Sequence, residues 1–320
     1  MKKLIIKIGL YFFLLLLCLE VLVRVFHLAK DAPTRYVDDY QVEKWRPNQS
    51  GYSVTGNRRQ NFSEFHINKF GFNSYREFKA TKENFEVALV GDSFIEGFHQ
   101  NYYNSIGKKI ENRIDTISVY EYGYAGYDMA DQLHLISQYK DQFKYIDIVV
   151  LGLKYENDLF RDKYEVEKSR MSLESPFNRA LKHCKLLVYT KSIGALKPIT
   201  DFVANLKNFR KEKNRNVSPK EVDLDKEVET RIDNLNSLIN LYGFNKAKFC
   251  FLLDETNTPP KFLDYLKEKN YKYIGIGEKL KESRKNTTLI YDMHWNNNGR
   301  SIVADEIVDY IKNENIQLVK

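Results

Sequence analysis

A serine hydroxyl attacks a carbonyl carbon only when a base takes its proton, a second group holds that base in one tautomer, and donors await the oxyanion. Four short segments of this chain carry residues of those types. Gly91-Asp92-Ser93-Phe94-Ile95-Glu96-Gly97 follows an apolar run and places a serine where a strand would turn into a helix. The backbone N–H of Ser93 is then free to donate to an oxyanion. Asp292-Met293-His294-Trp295-Asn296 lies near the C-terminus. His294 serves as a general base if its other ring nitrogen is held by a carboxylate, and in an extended segment Asp292, two residues away, points the same way. Tyr124-Ala125-Gly126-Tyr127 offers a glycine amide, and Asn157-Asp158 a side-chain amide, both suited to an oxyanion. Alone, each segment also reads as something ordinary: Asp92 or Ser93 as a helix N-cap, Asn297 or Asn298 as the cap of the last helix, the other two as surface loops.

These segments need a scaffold that brings them together. Phe85–Val90, Ser118–Tyr122, Ile146–Leu151, Phe249–Leu253 and Tyr271–Ile276 are short, nearly continuous apolar runs. Between and after them, apolar residues recur at helical spacing: Ile106, Ile110 and Ile114; Met129, Leu133 and Ile136; Val228, Ile232 and Leu235; Val303, Ile307 and Tyr310. Repeated βα alternation with apolar strands predicts an α/β fold, a five-stranded parallel sheet between helices in a three-layer sandwich. In such a sheet ligands gather at the carboxyl ends of the strands, where Ser93, Gly126 and Asn157 fall. Residues 160–225 are too long for a simple connection and predict a helical insertion beside the site. Its basic run Lys207–Arg215 reads first as a solvated helix face.

The N-terminus reads differently. Lys2, Lys3 and Lys7 precede an apolar stretch from Ile8 to Phe26, broken only by Glu20 and Arg24, which share a helix face. Its length matches a bilayer, no small-residue cleavage site follows, and the lysines favour a cytoplasmic N-terminus. Residues 1–30 therefore predict a single-pass signal anchor with the remainder on the extracytoplasmic side. Residues 31–80, turn-rich and polar, predict an extended lead-in, and 81–320 the catalytic domain. A net charge of +7 among 93 charged residues is small, and no zinc-finger spacing or RNA-binding pattern occurs, so nucleic acid is not an expected partner. Cys18, Cys184 and Cys250 read as buried free thiols, with a Cys184–Cys250 pair as the oxidised alternative. His99, six residues after Ser93, reads as loop surface that could approach the site.

Taken in order, the serine block after the first strand, the glycine after the second, Asn-Asp after the third and Asp/His before the last helix resemble the SGNH (GDSL-type) hydrolase superfamily. The resemblance spans residues 85 to about 312. Glu20 and Arg24 in the apolar helix, followed by Asn68-Lys69-Phe70-Gly71-Phe72, resemble a membrane-anchored branch. The resemblance implies a flavodoxin-like sandwich with Ser93 as nucleophile, His294 as base and Asp292 orienting it. The Ser93 amide, the Gly126 amide and the Asn157 side chain would form the oxyanion hole, with Asp158 supporting that loop. Two positions depart from the pattern. Tyr291 stands three before His294, where the family usually has aspartate, and the shorter Asp-x-His-Trp form resembles polysaccharide O-acetyltransferases of the alginate type. Gly152 stands five residues before Asn157 rather than two. The expected function is ester hydrolysis through an acyl-serine, with no cofactor or metal, on an acylated carbohydrate or a lipid of the cell envelope. The alternatives are acyl transfer to a surface polysaccharide and glycan binding without catalysis.

Overall fold

The computed structural model describes residues 1–56, 59–79, 81, 84–198, 201 and 224–314. Helix Lys2–Val25 comes first; it is long and apolar enough to cross a membrane, and its apolar side chains are almost all exposed. Glu20 and Arg24 pair on it at 2.6 Å, one turn apart.

The segment read as a lead-in is extended, but it belongs to the core. β1 (Arg35–Val37) pairs antiparallel with β2 (Glu43–Trp45), and β3 (Ser50–Thr55) with β4 (Asn61–His66). Trp45, Phe65, Ile67 and Phe72 are buried with residues of the main sheet. Polar residues are buried here as well. Glu43 faces Arg170 at 3.2 Å, and Lys44 pairs with Asp38 at 2.7 Å beneath the rings of Phe70 and Tyr139. Their partners are supplied by the fold, which is why the stretch looks like solvent-facing chain in the sequence.

β5 (Phe85–Gly91), β6 (Ile117–Gly123), β7 (Ile148–Leu153), β8 (Phe249–Leu253) and β9 (Tyr273–Gly275) form one parallel sheet in the order β6-β5-β7-β8-β9. β9 is three residues long, shorter than its apolar run. Alternate residues face opposite layers. Val87 and Leu89 pack with Ile106, Ile110, Val303 and Ile307, while Ala88 and Val90 pack with Met129, Leu133, Leu235 and the N-terminal ribbons. The result is a three-layer α/β/α sandwich with both sheet faces covered. The chain runs outward from β5 to β6, then returns across β5 to β7. That reversal opens a crevice at the carboxyl ends of β5 and β7, where such sheets bind ligands.

Between β7 and β8 the described part of the insertion holds helices Lys168–Ser172, Pro176–His183 and Lys185–Ser192. The basic run Lys207–Arg215 lies outside the described residues. Cys184 is exposed and Cys250 buried, both with free thiols, so they do not pair; Cys18 is exposed on the first helix rather than buried.

Candidate active site

Ser93 opens a four-residue helix directly after β5, and Asp92 caps it by accepting the Phe94 N–H at 2.9 Å. The helix is pressed against the end of β6. A Cβ on Gly123 would lie 2.0 Å from the Glu96 backbone nitrogen, so only glycine lets the two segments meet. From the last loop, His294 reaches back across 201 residues of sequence, and its Nε2 lies 2.7 Å from Ser93 Oγ. Asp292 Oδ1 accepts from both the backbone N–H of His294, at 3.1 Å, and its ring Nδ1. The local geometry is a tight turn rather than the extended strand expected for residues 292–294; the aspartate folds back onto the residue two further on, as short acidic side chains do. Leu289 N–H donates to the His294 carbonyl at 3.0 Å and closes the loop. Asn296, not Asn297 or Asn298, caps the final helix, accepting from Asn298 N and Gly299 N at 2.9 and 3.0 Å.

The His294 ring meets two other rings. Phe94 lies 4.6 Å away on one contact, and His99 stacks at 4.1 Å and 18° on another. His99 Nε2 is 3.0 Å from Asp292 Oδ2, so each oxygen of that carboxylate faces one histidine. Burial, and then the neighbouring His294, push His99 down to about 4. It is therefore neutral at ordinary pH, with a single N–H to donate. Burial pushes the Asp292 carboxyl upward, but hydrogen bonds from His294 and the two imidazoles outweigh it and hold the group below its usual range. His99, read in the sequence as loop surface that could approach the site, does approach it. Its distance of six from Ser93 was the only signal, because its partner lies almost two hundred positions away.

The N-terminal ribbons hold this arrangement from behind. Asn61 Nδ2 donates to the His99 carbonyl at 2.7 Å, and Ser63 Oγ to that of Phe98. Trp45 Nε1 donates to Glu96 Oε1 at 2.7 Å, and the same oxygen accepts from Ala125 N at 3.1 Å. Glu96 thus ties the ribbon and the serine helix to the loop containing Gly126. That buried carboxyl is pushed up to about 7, chiefly by burial and against the pull of those two donors. With a folded value above the unfolded one, the folded state binds the extra proton between about 4.5 and 7. Stability therefore falls as pH rises through that window. Glu96→Gln, which keeps the acceptor oxygen, is expected to flatten this decline, worth at most about 3 kcal/mol. Urea unfolding of both proteins in detergent at several pH values measures it; parallel slopes would count against the shift.

Gly126 follows β6, with φ +91° and its Cα side facing Arg170 of the insertion, whose Nη1 would lie 3.3 Å from a Cβ there. Asn157 follows β7, on the other side of β5, with an exposed side chain. The two expected oxyanion donors thus lie in the loops after the two strands that flank β5. Asp158 is buried; its Oδ2 accepts Lys154 N at 2.7 Å, and its carbonyl accepts Met129 N at 3.1 Å, anchoring the loop. Lys154 sits 3.8 Å above the Phe94 ring and pairs with Asp92. A cavity of about 360 Å³ opens beside the serine, lined by residues that include Asp92, Phe94, Asn157, Leu252, Ile276 and Met293.

No family model matches the chain, and no curated protein matches it. Solved structures similar to it include a lipolytic protein of the G-D-S-L family from Veillonella parvula, 12% identical, covering 71% of this chain and 98% of that one with a TM-score of 0.38. A lipase/acylhydrolase from Enterococcus faecalis is 13% identical over 72% and 96%, TM-score 0.39. A psychrotrophic esterase from Pseudoalteromonas is 10% identical over 72% and 97%, TM-score 0.40. At that overlap the likeness is distant, and the architecture rests on the strand order and register described above.

Proposed function

We propose that the protein is a membrane-anchored serine esterase in which Ser93, His294 and Asp292 act as one catalytic unit. The observation that carries this reading is the 2.7 Å approach of Ser93 Oγ to His294 Nε2, with Asp292 on the far ring nitrogen. His294 takes the Ser93 proton as Oγ bonds to the ester carbonyl carbon. The tetrahedral oxyanion is met by the Ser93 and Gly126 amides and the Asn157 side chain. His294 then returns the proton to the leaving alcohol, and water, activated by the same imidazole, releases the acid from acyl-Ser93. The cavity beside Ser93 takes the acyl portion. Residues 1–30 act as the anchor and 81–320, with the ribbons of residues 31–80 packed into its core, as the catalytic domain on the extracytoplasmic side, so an O-acylated envelope glycan or a lipid ester is the substrate class in reach. The short Asp-x-His-Trp spacing favours one variation, in which a sugar hydroxyl replaces water as acyl acceptor.

Full-length protein in membranes, treated with a fluorophosphonate probe and mapped by mass spectrometry, should carry its adduct on Ser93. Folded protein that takes no adduct, or takes it elsewhere, sinks the proposal. Asn157→Ala should lower kcat by roughly 10²–10³-fold, the effect of losing one oxyanion donor, with little change in KM. A loss confined to KM would remove Asn157 from the oxyanion hole and leave it a substrate contact.

A further inference from the structure

Helix Pro176–His183 is amphipathic, but its faces are reversed relative to a helix packed on a soluble core. Its polar side is turned toward the protein. Arg179 Nη1 donates to Thr34 Oγ1 at 2.6 Å and lies 3.1 Å from Glu174; Lys182 Nζ lies 2.9 Å from the same carboxylate. Asn178 Nδ2 donates to the Ser172 carbonyl at 3.0 Å. Its apolar side looks outward. Phe177, Ala180 and Leu181 recur at i, i+3 and i+4, and all three are exposed, Phe177 by 72%. Leu173, in the preceding turn, is exposed by 44%. An apolar stripe left open while charges are drawn inward calls for a nonaqueous partner.

The position of the helix identifies that partner. Glu20, on helix Lys2–Val25, accepts from Lys185 N at 3.0 Å and from Leu186 N at 2.6 Å, satisfying the first amides of helix Lys185–Ser192. Arg24, one turn on, donates to the His183 carbonyl. The C-terminal end of Pro176–His183 is therefore fixed at the level of Glu20, about 7 Å along the axis from the end of the membrane-length helix. A helix lying flat in a bilayer interface buries its apolar face about 5–10 Å deep. The two depths coincide.

We infer that the outward face of Pro176–His183 rests in the lipid interface beside the anchor, as a second point of membrane attachment. The inference rests on reading Lys2–Val25 as membrane-spanning. It gives the insertion a function: the preceding helix carries Arg170, which lies against Gly126, so the bilayer contact is two short helices away from the candidate oxyanion hole. Ester bonds close to the membrane surface would then be the ones presented to Ser93.

The test uses the full chain in vesicles of phosphatidylethanolamine and phosphatidylglycerol containing a phosphatidylcholine with a diazirine in its acyl chain. After irradiation, lipid adducts are mapped by mass spectrometry. Adducts are expected on two segments, residues 2–25 and residues 173–184. Phe177→Asp/Leu181→Asp should lose the second set and keep the first, with an unchanged circular dichroism spectrum. Adducts on 2–25 alone in the unsubstituted protein would overturn the inference while leaving the anchor intact. No adducts on 2–25 would instead remove the anchor, and the inference with it.

Discussion

Ser93→Ala is expected to reduce turnover of a simple ester such as p-nitrophenyl acetate by on the order of 10⁵–10⁶-fold, and His294→Ala by nearly as much. The two losses should not add. In the structure the hydroxyl and the imidazole share one hydrogen bond of 2.7 Å, and neither performs a step without the other. Removing the serine leaves a base with nothing to deprotonate; removing the base leaves a hydroxyl that holds its proton. The double variant should therefore match the worse single variant, with residual rate supplied by the oxyanion donors and by binding. Steady-state rates of the four proteins in one detergent check this. A Ser93→Ala protein retaining a tenth of the activity, or a double variant slower by the product of both losses, would mean that these residues do not act as a unit. Neither substitution should disturb folding, because both side chains are only partly buried and the Ser93 turn is capped by Asp92 rather than by its own hydroxyl.

The sheet was legible because burial on both faces leaves its strands almost without polar residues. β5, β6 and β8 match their apolar runs to within one or two residues. The order of Ser93, Gly126 and Asn157 along the chain translates into adjacent strand ends once the parallel topology is granted. Asp292 and His294 were legible because two residues suffice to make their contact. What the chain hides is burial satisfied from afar. Glu43, Lys44 and Ser63 look solvent-facing in the sequence, yet each is buried and reaches a partner: Arg170, Asp38 or the Phe98 carbonyl. The ribbons that hold the serine loop therefore resembled a tether. His99 was hidden in the same way, since its one contact that matters chemically belongs to a residue in the last tenth of the chain.

That contact shapes the second large effect, which belongs to Asp292→Asn. The carboxylate has two acceptor oxygens, one for Nδ1 of His294 and one for Nε2 of His99. A carboxamide offers one acceptor and one donor, so one histidine must present a lone pair instead of an N–H. If His99 yields, its proton moves to Nδ1, which is buried and meets no hydrogen-bond partner among the described residues. An unsatisfied buried donor costs about 1–3 kcal/mol. If His294 yields, its proton moves to Nε2 and points at Ser93, and the base is lost. The second arrangement also turns the carboxamide NH2 toward the His294 backbone N–H, which loses its acceptor, and it is the fatal one for catalysis. Asp292→Asn should therefore lose roughly 10³–10⁴-fold in kcat, with KM little changed, as when a triad histidine is held in the wrong tautomer. His99→Phe keeps the stack on His294 and removes the competing donor. Alone it should cost far less than Asp292→Asn. Combined with Asp292→Asn, it frees the amide oxygen for His294 Nδ1 and should restore activity by about tenfold, the equivalent of the smaller part of that desolvation cost. A double variant as slow as Asp292→Asn itself would show that His99 does not compete for the carboxylate, and would reduce its role to packing against the base.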